Sequence, residues 1–198
     1  MFDLGSVLFR ENWEELNSEF IKKFGISTLM RSNYGPKIQK IYDDALTGRK
    51  NMGEVFNEIC KVKRLKRDVN ELCLFYKEAY KKNKELNKEV IDLIKKLRKK
   101  FKVVCLTDTN HLHFEAHQEQ GILDLFDEKF GSHQIGLRKK DPKTFEIILK
   151  KLKINPEQLL FIDNNLRNIE NAKSFGINII QFKDNKQLIR ELKKLIEI

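Results

Sequence analysis

From Glu11 to about Lys84 the apolar residues keep helical spacing and nothing reads as a strand, whereas short apolar runs alternate with helices on either side of that block. Within it Trp13, Leu16, Phe20 and Phe24 recur at three- and four-residue steps, as do Ile38, Ile41, Tyr42 and Leu46. Val55, Phe56 and Ile59 follow, then, past a charged break, Val69, Leu72, Cys73, Phe75 and Tyr76. That pattern predicts three or four amphipathic helices. Before the block, Met1-Phe2 and then Val7-Leu8-Phe9 read as a very short strand running into a loop. After it come a helix over 87–100, a strand over Phe101–Leu106 and a short strand near Lys129–Gly131. A helix over 142–152 opens on Pro142, and a strand over Leu159–Ile162 follows. A helix over 166–175 stops at Gly176, and a strand over Asn178–Phe182 and a helix over 185–196 complete the pattern. Strands alternating with helices predict an α/β fold with a parallel sheet and helical crossovers, into which the all-helical block is inserted after the first strand. Only two residues precede Asp3, fewer than the about five of an ordinary strand, so the first strand is expected to be short or to begin upstream.

Composition narrows the function classes. The net charge of +10 comes from lysines spread along helix faces and mixed with glutamates, as in KNKELNKE over 82–89. That is the pattern of a solvated surface, so nucleic acid is an unlikely partner, and the surplus suits anionic substrates. Cys60, Cys73 and Cys105 lack paired spacing, which argues against a disulfide framework or a zinc site and fits a reducing compartment. No leader is legible and the apolar runs are too short to span a bilayer, so the expected setting is cytoplasmic, away from membranes.

Four segments join an apolar run to a polar tip or form a polar loop that opens a helix: MFDLGSVLF at the start, KVVCLTDTN around Thr107, GLRKKDPKTF around Lys139 and LLFIDNNLRNIENA around Asp163. In open parallel sheets ligands bind at the carboxyl ends of the strands, where all four can place their polar residues. Asp3, beside the amides of a Gly-containing loop, can attack phosphorus or bind a metal. Thr107 offers a hydroxyl to a phosphate oxygen, with the Asp108 amide beside it. Lys139 can neutralise phosphate and an anionic nucleophile. Asp163 can ligate Mg²⁺, which takes one or two carboxylates plus phosphate and water. Singly, each has an ordinary reading as a turn residue, a solvated lysine or a helix cap. The four in order point to phosphate-ester chemistry.

These segments resemble the haloacid dehalogenase superfamily, specifically its phosphatase-like members with a helical cap inserted after the first strand. FDLGSVL is similar to the first motif with Asp3 as nucleophile, and LTDTN to the second with Thr107 as phosphate-binding hydroxyl. GLRKKDPKTF is similar to the third with Lys139 as the motif lysine, and FIDNNLRNIENA to the acidic fourth. TDTNHLH together with DLG is most like sugar-phosphate phosphatases of the glucose-1-phosphate type. The resemblance implies a Rossmann-like core over 1–10 and 85–198 with a cap over 11–84. It also implies a Mg²⁺-dependent phosphomonoester hydrolase of a small phosphorylated metabolite, a sugar phosphate or nucleotide, working through an aspartyl-phosphate. Asp3, Thr107 and Lys139 would be catalytic, Asp108 and Gly5 would contribute to phosphate binding, and Asp3, the Gly5 carbonyl, Asp163 and Asn164 would hold the metal.

Three positions depart from the family pattern. Gly5 stands where an aspartate usually protonates the leaving oxygen and later activates water, work worth about a hundred- to ten-thousand-fold. His111, His113 or a bound water are the candidate substitutes. Asn164 stands for a second metal-binding aspartate, which predicts weaker Mg²⁺ binding than in a variant with aspartate there. Lys140 replaces a proline, with more effect on loop stiffness than on chemistry. Two other readings remain open: a fold retained for binding or regulation, which Gly5 and Asn164 favour, and a 2-haloacid dehalogenase using the same aspartate. Oligomeric state is not legible.

Overall fold

The computed structural model describes residues 1–196, so the last two residues of the expected 85–198 segment lie outside the described residues. In chain order the elements are β1 (Phe9–Glu11), α1 (Trp13–Phe24), α2 (Met30–Asn33), α3 (Gly35–Ala45), α4 (Met52–Lys63), α5 (Val69–Lys82), β2 (Lys84–Leu86) and α6 (Lys88–Leu97). Then come β3 (Val104–Thr107), α7 (His111–Glu119), β4 (Glu128–Gly131), α8 (Ser132–Ile135), α9 (Lys143–Leu152), β5 (Leu160–Asp163), α10 (Leu166–Ser174), β6 (Asn178–Gln181) and α11 (Asn185–Leu195).

The sheet is parallel and its middle is the chain's first three residues. The Phe2 amide donates to the Val104 carbonyl at 2.9 Å and the Leu106 amide to the Phe2 carbonyl at 2.9 Å. On the other edge the Ile162 amide donates to Met1 at 2.9 Å and the Asp3 amide to Ile162 at 2.8 Å. With β3 paired to β4 and β5 to β6, the order is β4, β3, Met1–Asp3, β5, β6. Side chains alternate between the two faces as the pleat demands. Phe2, Cys105 and Ile162 join one apolar cluster with α6 and α11, built on Val90, Ile94, Leu188 and Leu192. Met1, Val104, Leu106 and Phe161 join the other with α9 and α10, built on Phe145, Ile148, Ile169 and Ala172. This is the α/β Rossmann-like arrangement that the alternating pattern predicted.

Two elements differ from expectation. The strand expected from Phe101 starts at Val104, because Phe101 lies outside the core at 42% exposure. Val7 and Leu8 lie in a turn, and the strand that follows, β1, pairs antiparallel with β2, setting Phe9 opposite Leu86, Arg10 opposite Glu85 and Glu11 opposite Lys84. This ribbon carries the chain out to the helical block and back. Helix α7 also lacked a legible stripe, because two of its buried positions are His113 and His117 rather than aliphatic residues.

Helices α1 to α5 form the inserted block. Their core is aromatic: the Phe20 ring lies 5.3 Å from Phe56 and 5.9 Å, edge-on, from Tyr76, centroid to centroid. Leu112 and Ala116 of α7 complete that core from below. Asn51 and Glu54 cap α4 reciprocally. At the far side the loop after α3 approaches the sheet domain so closely that a Cβ on Gly48 would sit 2.0 Å from the His133 carbonyl oxygen. Ser132 fixes the same contact: its hydroxyl donates to Leu46 O at 2.6 Å and accepts from the Thr109 amide at 2.9 Å. Among the described residues no helix is long and apolar enough to cross a membrane.

Two glycines with the same left-handed backbone separate conformation from contact. Gly25, at φ 70° with open space around it, is expected to cost about 1–2 kcal/mol on replacement by alanine. Gly48→Ala, at φ 71° against backbone, is expected to cost more than about 3 kcal/mol. Urea denaturation of the two variants measures the difference, and equal losses would contradict the close approach.

Candidate active site

The carboxyl ends of three neighbouring strands bring the first, second and fourth sequence segments together. Asp3 ends the central segment, Thr107 ends β3 and Asp163 ends β5, all buried. The loop between α8 and α9 delivers Lys139, only 3% exposed, to the same place. Its ammonium nitrogen lies 2.7 Å from Asp3 Oδ2 and 2.7 Å from Asp163 Oδ2. Each carboxylate is held from behind as well. Asp3 Oδ1 accepts from the Leu4 amide at 2.7 Å. Asp163 accepts from the Asn165 amide at 2.7 Å and from the Asn168 side-chain amide at 3.1 Å.

The lysine loop is clamped by side chains from several elements. Asp108, just past β3, accepts from the Lys139 backbone amide at 2.9 Å and from Arg138 Nε at 3.0 Å. Asn171 of α10 donates to the Lys139 carbonyl at 3.1 Å, and the Thr144 hydroxyl to the Arg138 carbonyl at 2.7 Å. Arg138 also reaches Asp43 of α3 at 3.4 Å, so the same loop touches the helical block.

Electrostatics follow from burial. Asp3 is pushed up to about 7, first by burial and then by the Asp163 charge, against the pull of Lys139. Burial alone would lower Lys139, but Asp3, Asp163 and Asp108 outweigh it and hold the ammonium above its ordinary range. Two acidic side chains thus share one ammonium and offer oxygen ligands to a second cation. That donor set fits magnesium, a hard cation that takes one or two carboxylates plus phosphate and water. Among the described residues no group of three His, Cys, Asp or Glu side chains is arranged to hold a metal, so a tighter, all-protein cage is not what the site offers.

The remaining sequence candidates lie around this triad. Gly5 lies two residues past Asp3 in the loop, and a Cβ built there would meet the Glu11 carboxyl group. Asn164 is exposed, its backbone carbonyl accepting from Gln181 at 3.3 Å. His111 is half-buried at the start of α7. His113 is buried and stacked on Tyr80, ring centroids 3.6 Å apart and 11° from parallel. Its Nε2 has no hydrogen-bond partner among the described residues, and burial, with His117, Lys84 and His111 nearby, keeps the ring well below the ordinary histidine range.

Sequence reasoning missed two contributions. Asn168 stood in the NIENA run, in the first turn of α10, but its link to Asp163 shows only in three dimensions. Asp108 was read for its amide, while its carboxylate organises the lysine loop.

A sequence profile of haloacid dehalogenase-like hydrolases matches residues 1–176. The chain belongs to this family. Among curated relatives, drimenol cyclase drtB of Aspergillus calidoustus is 25% identical over 196 residues, 97% of this chain. D-ribitol-5-phosphate phosphatase of Bacteroides thetaiotaomicron is 26% identical over 115 residues, 54% of this chain. The match spans 35% of the cyclase, a much longer protein, and 56% of the phosphatase. A haloacid dehalogenase family enzyme of Bacteroides thetaiotaomicron, solved with magnesium and inorganic phosphate, has the same fold. Its TM-score is 0.76 at 21% identity, with 96% of this chain and 97% of that one covered.

Removing the central cation of the haloacid dehalogenase-like triad should leave two buried carboxylates facing each other. Lys139→Met is expected to lower the unfolding free energy by about 3–5 kcal/mol at neutral pH. Adding Asp3→Asn should recover part of that loss, a non-additivity read from a double-mutant cycle in urea.

Proposed function

We propose that this hydrolase cleaves phosphate monoesters of small phosphorylated metabolites in a magnesium-dependent reaction through an aspartyl-phosphate on Asp3. The observation that carries the reading is the buried Asp3–Lys139–Asp163 triad at the carboxyl ends of adjacent strands. Asp3 is the nucleophile: its carboxylate is fixed by the Leu4 amide and Lys139, and attacks phosphorus as the bond to the leaving oxygen breaks. Lys139 offsets the negative charge of the incoming phosphoryl group, with the Thr107 hydroxyl and the Asp108 amide binding its oxygens. Asp3, the Gly5 carbonyl, Asp163 and Asn164 would hold magnesium, with Asn168 orienting Asp163. When bound, the metal supplies Lewis-acid stabilisation of the transferring group. The helical block over the site excludes water and selects the leaving group. A sugar phosphate or nucleotide fits that role. The Bacteroides thetaiotaomicron ribitol-phosphate phosphatase among its relatives supports a phosphorylated polyol or sugar. Free thiols at all three cysteines support a reducing, cytoplasmic setting.

Asp3→Asn is expected to abolish turnover of p-nitrophenyl phosphate with magnesium while the circular dichroism spectrum stays native. Retained turnover overturns Asp3 as nucleophile and, with it, this reading against a binding protein of the same fold. Asn164→Asp is expected to tighten Mg²⁺ binding in isothermal titration, since a second acidic side chain would then stand beside Asp163. Unchanged affinity would remove position 164 from the metal site.

A further inference from the structure

The phosphatase reading leaves one role without a residue. A leaving alkoxide needs a proton and the attacking water must lose one, and Gly5, two residues past Asp3, can do neither. The structure fills that space from elsewhere in the chain. A Cβ built on Gly5 would meet Glu11 Oε1 at 3.2 Å, Oε2 at 3.9 Å and Cδ at 4.0 Å, its three nearest heavy atoms. The Glu11 carboxyl group therefore lies directly beside the place where a side chain at position 5 would begin.

Three features return Glu11 to Gly5. After Gly5 the chain turns sharply: Ser6 has φ 60°, and the Leu8 amide closes on the Leu4 carbonyl at 2.8 Å. The Ser6 amide then donates to Phe9 O at 2.8 Å, and Gly5 bridges Phe9, so β1 starts alongside the loop it has just left. Pairing with β2 fixes the far end, with Glu11 opposite Lys84. Burial raises the Glu11 carboxyl, and Lys84 of β2, opposite Glu11 in the ribbon, lowers it against that rise. Tyr80 is kept from ionising first by its own burial and then by the charges of Glu11, Tyr42 and Asp3. His113 is a poorer candidate. It is stacked against Tyr80, with Nδ1 3.4 Å from Asn110 Nδ2.

We propose that Glu11 is the proton-transfer acid and base of this site, replacing from β1 the carboxyl group that position 5 lacks. In the first half-reaction an Asp3 oxygen bonds to phosphorus, the bond from phosphorus to the ester oxygen breaks, and the Glu11 carboxyl gives that oxygen its proton. In the second, the Glu11 carboxylate takes a proton from water as the water oxygen bonds to phosphorus and the bond to Asp3 breaks. Phosphate leaves, and both carboxyl groups return to their starting states. The assignment rests on the phosphatase reading above.

The test uses the whole chain and two aryl esters, p-nitrophenyl phosphate and phenyl phosphate, with magnesium. The first has a leaving group that departs without a proton, whereas the second needs one. Glu11→Gln is expected to slow phenyl phosphate turnover by about 10²–10⁴-fold from the first step. On p-nitrophenyl phosphate it should give a burst of nitrophenolate stoichiometric with protein, then slow turnover, because only the hydrolysis of the aspartyl-phosphate has lost its base. Gly5→Asp in a Glu11→Ala background is expected to restore turnover of both esters, since removing the Glu11 carboxyl opens the room beside position 5. An equal loss on both esters with no burst and no rescue would mean that Glu11 only supports the ribbon, and overturns the assignment. Native rates in Glu11→Gln alongside an inactive Asp3→Asn overturn Glu11 alone and leave the phosphatase reading standing. A native chain, or an Asp3→Asn variant, whose behaviour excludes Asp3 chemistry overturns both.

Discussion

One ammonium between two carboxylates organises this molecule. Taking three charges out of water costs several kcal/mol per ion, and only close, well-aligned partners offset it. The parallel sheet supplies the alignment. Asp3 and Asp163 end neighbouring strands, whose spacing of about 4.8 Å places both carboxylates within reach of a single lysine. The third partner comes from a loop, the least rigid kind of element, and the structure accordingly spends four side chains on holding it. Asp108 grips the Lys139 backbone from just past β3, Asn171 from α10, Thr144 steadies the preceding carbonyl, and Arg138 links the loop to Asp108 and to Asp43. Much of the apparatus around the site maintains one cation in an environment that would otherwise expel it.

The large elements were legible in the sequence for local reasons. Apolar runs such as VVCL and LLFI are buried on both faces and short, which marks strands of a covered parallel sheet, and the helices of the inserted block show clean three-four spacing. What escaped was structure without a local pattern. Three-residue strands such as β1 and β2 are too short to alternate, and exist because they pair with each other across the whole helical block. Helix α7 hides its buried stripe behind two histidines that pack as rings against Tyr80 and Phe9.

The site divides in the same way. Asp3, Thr107 and Asp163 stand at ends of apolar runs, and that position is visible in one dimension. Lys139 is marked in the sequence by the likeness of GLRKKDPKTF to the family's third motif, but nothing local shows that its side chain is almost wholly buried. Asn164 and Asn168 divide the other way. Asn164 is next to Asp163 in sequence and is exposed, while Asn168, in the first turn of α10, donates to the carboxylate. Glu11 is eight residues beyond Asp3 along the chain, and the left-handed turn at Ser6 together with the β1–β2 pairing brings it back beside Gly5.

The seam between the helical block and the sheet domain is chemically lopsided. Along one margin α5 lies on α7 with Tyr76, Tyr80, Leu112 and Ala116 in contact, and Lys77 and Lys81 both reach Glu119 across it. Along the other, contact rests on polar links, Ser132 to the Leu46 carbonyl and Arg138 to Asp43. Parting the first margin wets aromatic surface at about 25 cal/mol for each Å². Parting the second trades hydrogen bonds for water at about 1 kcal/mol apiece. The two sides of the crevice are therefore unequal barriers: the oily one resists separation as a hinge does, and the polar one yields like a clasp.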